Sequence, residues 1–443
     1  MCEYPFGFIS IIIIEGEPTI TTSLSVLQVW AFVVKAVWKA MEKNEVKEIE
    51  EELIEFIEAV AGGIGRSERR HWCGMYIKGL LMDGERKSIQ PMARRLEGGN
   101  EQALQQFVNQ SPWNPEKVSL ELCDYLVKKL KIKTSVLVLD DTSLPKKGRH
   151  SVGVAYQYCG AQGKIANCQS IVSWHAVSDQ EHFPLLARLY LPQEWTENKR
   201  RMKQSGIAKE NQKFQEKWKI GLDLLQKLKG RIDYRAVVFD AGYGEIGPFL
   251  CELEKRGESY VGQISSGMCF WPKDIELITA DNSQGRPRKY PAIADKKARP
   301  LTASQWAQKI EKWSRFRLPT KKKTHVKVAA IRVLSLINKA YYRPGTERWL
   351  MIEKLPDGEI KYYLSNLPPS TSVRELLELA HQRWKIEQGY QQLKEELGLD
   401  HFEGRSWLGL HHHILLCFMA YAFLILLRKK HIKKNSANTP CSS

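Results

Sequence analysis

The sequence predicts an α/β protein: a mixed β-sheet flanked by helices, interrupted by a β-rich insertion and preceded by an all-helical N-terminal domain. Two apolar runs, "VLVL" at 136–139 and "AVVF" at 236–239, have the unbroken hydrophobicity of central strands covered on both faces, and each leads into an aspartate. Residues 46–130 place apolar side chains at helical spacing. Residues 268–360 are rich in Trp, Pro and Lys and carry strand-like runs.

Residues 1–45 form an atypical extension, with a β-branched run (Ile11–Ile14) and an apolar, helix-like stretch over 26–40. A Glu-rich helix follows, presenting Val46, Ile49, Leu53 and Ile57 on one side. Over 87–113 two short helical patterns are joined by Gly98-Gly99-Asn100, where the glycines end the first helix and Asn100 can cap the second. That pattern fits a DNA-reading helix-turn-helix in the 46–130 region, and it fits an ordinary helix pair equally.

From 131 to 267 three strands are expected at "VLVLDDT", "SVGVAYQYCG" and "QSIVSWHAVS", then a basic helical stretch (198–230), the strand "RAVVFD", a short helix (246–256) and a strand (259–264). The insertion at 268–360 carries the strand "HVKVAAIRVLSL" and a hairpin turning at Pro356-Asp357-Gly358-Glu359. Residues 361–430 return to helix, with one long helix from Ser372 to Gly398 and an apolar helix over 414–427, before a polar tail at 431–443.

A chain of 443 residues with 43% hydrophobic content can bury a large core and suggests two or three domains. Lys and Arg outnumber Asp and Glu by 67 to 50, a formal charge of +17 that favours polyanionic partners. Nine cysteines, an odd number with no C-x-x-C pair, indicate neither zinc nor a disulfide framework, and reduced cytoplasmic thiols are expected. Consecutive residues on a helix point in three directions, which argues against a metal tract at His411-His412-His413. The apolar run 414–427 falls short of the roughly 20 residues that span a bilayer, so a buried helix and no membrane association are expected.

A carboxylate at the end of a buried strand costs desolvation energy unless positive charge compensates it. Asp140 and Asp240 both sit there, and a divalent cation clamped between strand ends accounts for the pair; capping of a following turn accounts for either one alone. On the long helix, Glu387 is flanked by Arg383 and Lys394 at roughly 40° and 20° around the axis. A solvated ion-pair face has the same spacing.

Together these residues resemble a bacterial insertion-sequence DDE transposase with an RNase H-like catalytic core. In one branch of that superfamily the signature is Y-x2-R-x3-E-x6-K, and "RWKIEQGYQQLK" reproduces Arg383, Glu387 and Lys394. Asp140-Asp141-Thr142 matches a strand ending D-x-T/S, and Asp240-Ala241-Gly242-Tyr243 matches D-x-G-x. The likeness covers roughly residues 75–428; the signature's Tyr falls at Ala380, with Trp384 or Tyr390 as conceivable substitutes.

The resemblance implies Asp140, Asp240 and Glu387 as catalytic residues and ligands of two Mg²⁺ (or Mn²⁺) ions, with Arg383 and Lys394 on DNA phosphates. It implies cleavage at the element's ends followed by 3′-OH strand transfer into target DNA, by a homodimer or larger assembly on the terminal inverted repeats, in the bacterial cytoplasm at the nucleoid. Basic stretches such as Lys199–Lys203 and Lys321–Lys323 would add sequence-independent DNA affinity. A catalytically silent DNA-binding descendant and a metal-dependent nuclease without strand transfer are the rival readings. Strand alternation allows only one of the adjacent aspartates to face the metals; the D-x-T match selects Asp140 and leaves Asp141, like Thr142, as a supporting group or alternative ligand.

Overall fold

The computed structural model describes residues 12–14, 17–19, 43–132, 136–178, 181–278, 292–318, 325–338 and 343–438. Most of the N-terminal extension, Lys321–Lys323 and the last five residues of the polar tail lie outside them.

Five helices open the folded part: α1 (Lys43–Val60), α2 (Ser67–Leu81), α3 (Ile89–Arg95), α4 (Glu101–Asn109) and α5 (Pro115–Leu130). Local chemistry sets their ends. Gly98 adopts φ 71°, and the Asn100 side chain accepts from the Ala103 N–H at 3.0 Å, so α3 and α4 are separated as expected. Asn114 caps α5 by accepting from the Glu116 and Lys117 N–H groups, with Pro115 in the first turn.

Twelve strands form one sheet: β1 (Val136–Pro145), β2 (Ala155–Cys159), β3 (Lys164–Val177), β4 (His182–Leu189), β5 (Ala236–Phe239), β6 (Tyr260–Ile264), β7 (Cys269–Pro272), β8 (Leu301–Thr302), β9 (Ser314–Arg317), β10 (His325–Asn338), β11 (Arg343–Lys354) and β12 (Ile360–Ser365). Their order is β8-β7-β10-β11-β12-β6-β5-β1-β3-β2, with β4 also on β3 and β9 also on β10. Only β1, β5 and β6 pair in parallel. The β-rich stretch is thus continuous with the sheet, joined through β12 to the edge of β6. The hairpin turn forms as expected, with Gly358 at φ 92° and the Leu355 N–H donating to the Glu359 carbonyl at 2.8 Å.

Helices α6 (Lys217–Leu228) and α7 (Gly247–Lys255) follow β4 and β5, and α8 (Val373–His381), α9 (Trp384–Glu395) and α10 (Trp407–Asn438) close the chain. The expected long helix from Ser372 is two helices. The chain breaks at Gln382-Arg383, where Ile386 bonds back only three residues, to the Arg383 carbonyl. Gly398, at φ 64°, ends the second helix as expected.

The apolar C-terminal helix is also longer than its hydrophobic run and contains the three histidines. Trp407–His431 is long and apolar enough to cross a membrane, yet most of it is buried inside the protein, packed against α2, α4, α5 and β4. The N-terminal helices therefore share a core with the end of the chain, and the histidines are part of that join. His411 accepts from the Leu189 N–H, His412 lies flat on Trp113 at 3.5 Å, and His413 accepts from the Tyr76 hydroxyl. Three consecutive rings serve three different neighbours. Among the described residues all seven cysteines are free.

Candidate active site

The parallel ladder between β1 and β5 ends at the pair Leu139–Phe239. Asp140 and Asp240 are the next residues on the two strands, so they stand side by side on neighbouring strands roughly 4.8 Å apart. The strands part there. β1 does not end at the aspartates, as the sequence suggests, but runs on against β3 to Pro145, with Asp140 opposite Ser173. The chain after β5 turns away into a short helix at 241–244. Asp240 caps it by accepting from the Tyr243 N–H at 3.2 Å, so its predicted cap role and its place beside Asp140 coexist. A side chain at Gly244 would put its Cβ 1.9 Å from the Gln263 carbonyl, so only glycine lets this turn close onto β6.

Alternation along β1 sends the adjacent aspartates to opposite faces. Leu139 packs on Gly221 of α6, and Asp141, on the same face, pairs with Lys217 of that helix. Asp141 also accepts from the Tyr243 hydroxyl at 2.7 Å and the Ser170 hydroxyl at 3.4 Å. Asp140 faces α9, where its charged neighbour is Arg383, Nη1 to Oδ2 at 3.8 Å. The buried Thr142 lies two residues further on the Asp140 face.

Burial, reinforced by the Asp240 charge, pushes the Asp140 carboxyl up to about 8, against the opposing pull of Arg383. Asp240 is also raised, first by burial and then by Asp141, while its bonds from the Tyr243 and Gly242 amides oppose the shift. Partial burial and the neighbouring carboxylates thus disfavour the charged form of both aspartates, and Arg383 only partly offsets this.

Arg383 connects the third carboxylate. Its Nη2 donates to Glu387 Oε1 at 2.7 Å while Nη1 approaches Asp140, so one guanidinium bridges the two. Glu387 itself is about half exposed (53%) and is not in a preformed cluster with the aspartates: no group of three or more metal-ligating side chains is found among the described residues. Lys394, about two turns further along α9 on the same face, donates to the Ser143 carbonyl of β1 at 3.0 Å, and burial lowers its pKa. Ala380 is buried in α8. Of its conceivable substitutes, Trp384 is 59% exposed, whereas Tyr390 is buried with its hydroxyl on Ser173 and on the Asp140 carbonyl at 3.3 Å.

Lys217, Ser173 and Tyr390 support the aspartates without having been singled out for that by the sequence. Lys217 is 76 positions from Asp141, and no local pattern pairs them. Tyr243 was visible only as the last residue of its motif.

Comparison with known proteins adds the family. The family described as DDE superfamily endonuclease matches residues 59–325, more than half of the chain, a span that includes Asp140 and Asp240 and stops before Glu387. A probable transposase for insertion sequence element IS701 from Microchaete diplosiphon is 30% identical over 190 residues, covering 42% of this chain and 47% of the relative. The chain thus matches about half the length of that relative. A cryo-EM structure of the piggyBac transposase synaptic complex with hairpin DNA aligns over 89% of this chain and 77% of its own at 10% identity, but with a TM-score of 0.32, too slight a likeness to bear on fold or function.

Proposed function

We propose that this chain, which belongs to the DDE superfamily of endonucleases, is the transposase of an insertion sequence, cutting DNA at the element's ends and joining the freed 3′ ends to target DNA. The observation that carries the reading is the pair Asp140 and Asp240, side by side just beyond the last parallel rung, half-buried, with burial and neighbouring carboxylates raising both carboxyls. The strand order β2-β3-β1-β5-β6, with β1, β5 and β6 parallel and β3 antiparallel to them, supports an RNase H-like core.

The donor set fits a hard divalent cation: carboxylate oxygens and no soft ligand. Asp140, Asp240 and Glu387 would hold it, Mg²⁺ or Mn²⁺ and two ions in the full reading. Bound there, it supplies Lewis-acid activation of a water or a 3′-hydroxyl and neutralises charge on the leaving oxygen.

The chain's own groups orient the DNA. Arg383 presents a planar fork to a phosphate beside the scissile bond. Lys394, anchored through Ser143, offers its remaining protons to the next phosphate. Tyr390 and Ser173 keep the Asp140 backbone in place from the α9 side. The helical region 46–130 would read the terminal inverted repeats, and pairing of two ends calls for a homodimer or larger assembly in the bacterial cytoplasm, at the nucleoid.

The test is nicking of DNA that carries the element's ends, with and without Mg²⁺, using Asp240→Ala as control. Cleavage that needs both the cation and Asp240, followed by strand-transfer products, is the expected result. Cleavage without joined products would make the protein a nuclease, and DNA binding without cleavage would make it a silent descendant.

A further inference from the structure

We propose that a basic groove beyond the C-terminal end of β1 is a separate DNA-binding surface, gripping the phosphodiester backbone away from the carboxylates and offering Tyr156 as a stacking platform for an unpaired base. This rests on the reading that DNA is the substrate and adds where a second stretch of it lies.

The groove, of ≈ 1040 Å³, is formed by the loop after β1, the start of β2, the short helix Lys199–Gln204 and the segment preceding α10. Arg149, His150, Arg200 and Arg405 line it and are exposed, and Glu194 is the one carboxylate among its described lining residues. Arg149, Arg200 and Arg405 make no ion pair with any described residue, so their charge is free to meet a ligand.

The walls are built rather than loose. Arg201 stacks on Trp195, 3.8 Å from the ring centre, and donates to the Arg149 carbonyl at 2.9 Å. The Asn167 amide donates to the Lys146 and Gly148 carbonyls at 2.7 and 2.9 Å, holding the loop that carries Arg149. Cations carried on a held backbone and without carboxylate partners of their own suit a polyanion, whose phosphates displace the water and counterions around them.

The aromatic component narrows the partner. Tyr156 lines the groove at 68% exposure, and Tyr158 (66%) and Ile165 (72%) continue the same face of the β2–β3 hairpin at the edge of the sheet. Tyrosine faces beside arginines bind single-stranded nucleic acid, in which a base is free to stack, whereas a fully paired duplex offers only its edges and backbone. An acidic protein would also meet the charge but gains no stacking at Tyr156. The location fits as well: β1 runs five residues past Asp140, roughly 17 Å, before the loop begins. DNA bound at the aspartates and following β1 would reach the groove within about one helical turn.

The experiment measures binding by fluorescence anisotropy without divalent cations, using a labelled blunt duplex and the same duplex with a single-stranded overhang, across a salt series. Native protein is compared with the triple variant Arg149→Ala/Arg200→Ala/Arg405→Ala, with Tyr156→Ala and with Tyr156→Phe. The triple variant should bind roughly tenfold or more weakly at low salt, and its slope of log affinity against log salt should fall by about 0.9 per arginine. Tyr156→Ala should lose about fivefold or more on the overhang substrate alone, with Phe restoring it.

Thermal melting checks folding; were the triple variant destabilised, Arg200→Glu carries the same expectation. Native-like affinity and salt slope in a folded variant would overturn the groove while leaving the proposed function standing. Equal loss on blunt and overhang DNA for Tyr156→Ala would overturn the stacking role. A native protein that binds neither DNA would overturn both proposals together.

Discussion

The hydroxyl of Tyr243 donates to Oδ1 of Asp141 at 2.7 Å, across two motifs 102 positions apart in sequence. With Lys217 and Ser170 it surrounds Asp141 on the α6 side, whereas Asp140 on the other side has Arg383 as its charged neighbour. The adjacent carboxylates thus have different physical situations: one is neutralised by the fold and the other is left for something the fold does not supply. Asp141→Asn should cost about 1–3 kcal/mol of stability, because a partly buried lysine loses its counter-charge, and Tyr243→Phe about 1 kcal/mol. Chemical denaturation measures both; a stable Asp141→Asn protein with no cleavage would reverse the assignment of the two aspartates.

Asp140→Asn should abolish cleavage and yet stabilise the cation-free protein near pH 8. The folded-state pKa of Asp140 lies above that of an unfolded aspartate, so the native state binds the extra proton and loses stability as pH rises from roughly 4 towards 8. Asparagine has no such charge to bury. Melting curves of the two proteins in chelator should diverge as pH increases, and parallel curves would mean that Asp140 ionises without penalty.

Arg383→Gln should reduce cleavage by more than about tenfold, since a charged, bidentate contact is lost. Lysine should not restore it. A point charge on a flexible stem cannot span Asp140 and Glu387 at once as the guanidinium does. Cleavage rates for the two variants on one substrate decide the matter, with full activity in Arg383→Lys as the contrary result.

The histidines of α10 predict acid lability. His411 and His413 each donate through one ring nitrogen, to the Trp407 and Gly398 carbonyls, and accept through the other, from the Leu189 amide and the Tyr76 hydroxyl. Both are therefore neutral in the fold, and burial pushes each down to about 4. An unfolded histidine titrates near 6.5, so their stabilisation is complete above that pH and is lost as pH falls towards 4. The melting temperature should drop across this window, with a shallower decline in His413→Gln; identical pH profiles would place the acid sensitivity elsewhere.

Much of this molecule follows from local sequence. The runs at 136–139 and 236–239 are apolar because both faces of their strands are covered, and those at Asn100, Asn114 and Gly398 carry the capping chemistry that ends or starts a helix wherever it occurs. The identities of Asp140, Asp240, Arg383, Glu387 and Lys394 were legible as motifs for the same reason: each motif is a short, contiguous stretch of the chain. The break at Gln382-Arg383 was not, since nothing in the helical spacing of 372–398 opposes a continuous helix.

Tertiary structure alone decided what lies between elements. Alternation says that Asp140 and Asp141 face opposite ways, but which face meets α6 and which meets α9 depends on helices 76 and more than 240 residues away. The joining of 268–360 to the same sheet, the placing of three histidines against three different neighbours, and the convergence of Arg149, Arg200 and Arg405 on one groove are likewise long-range pairings. Periodicity reports which side of an element is apolar; it is the packing of one element on another that sets which charges meet, and on that the chemistry of the site depends.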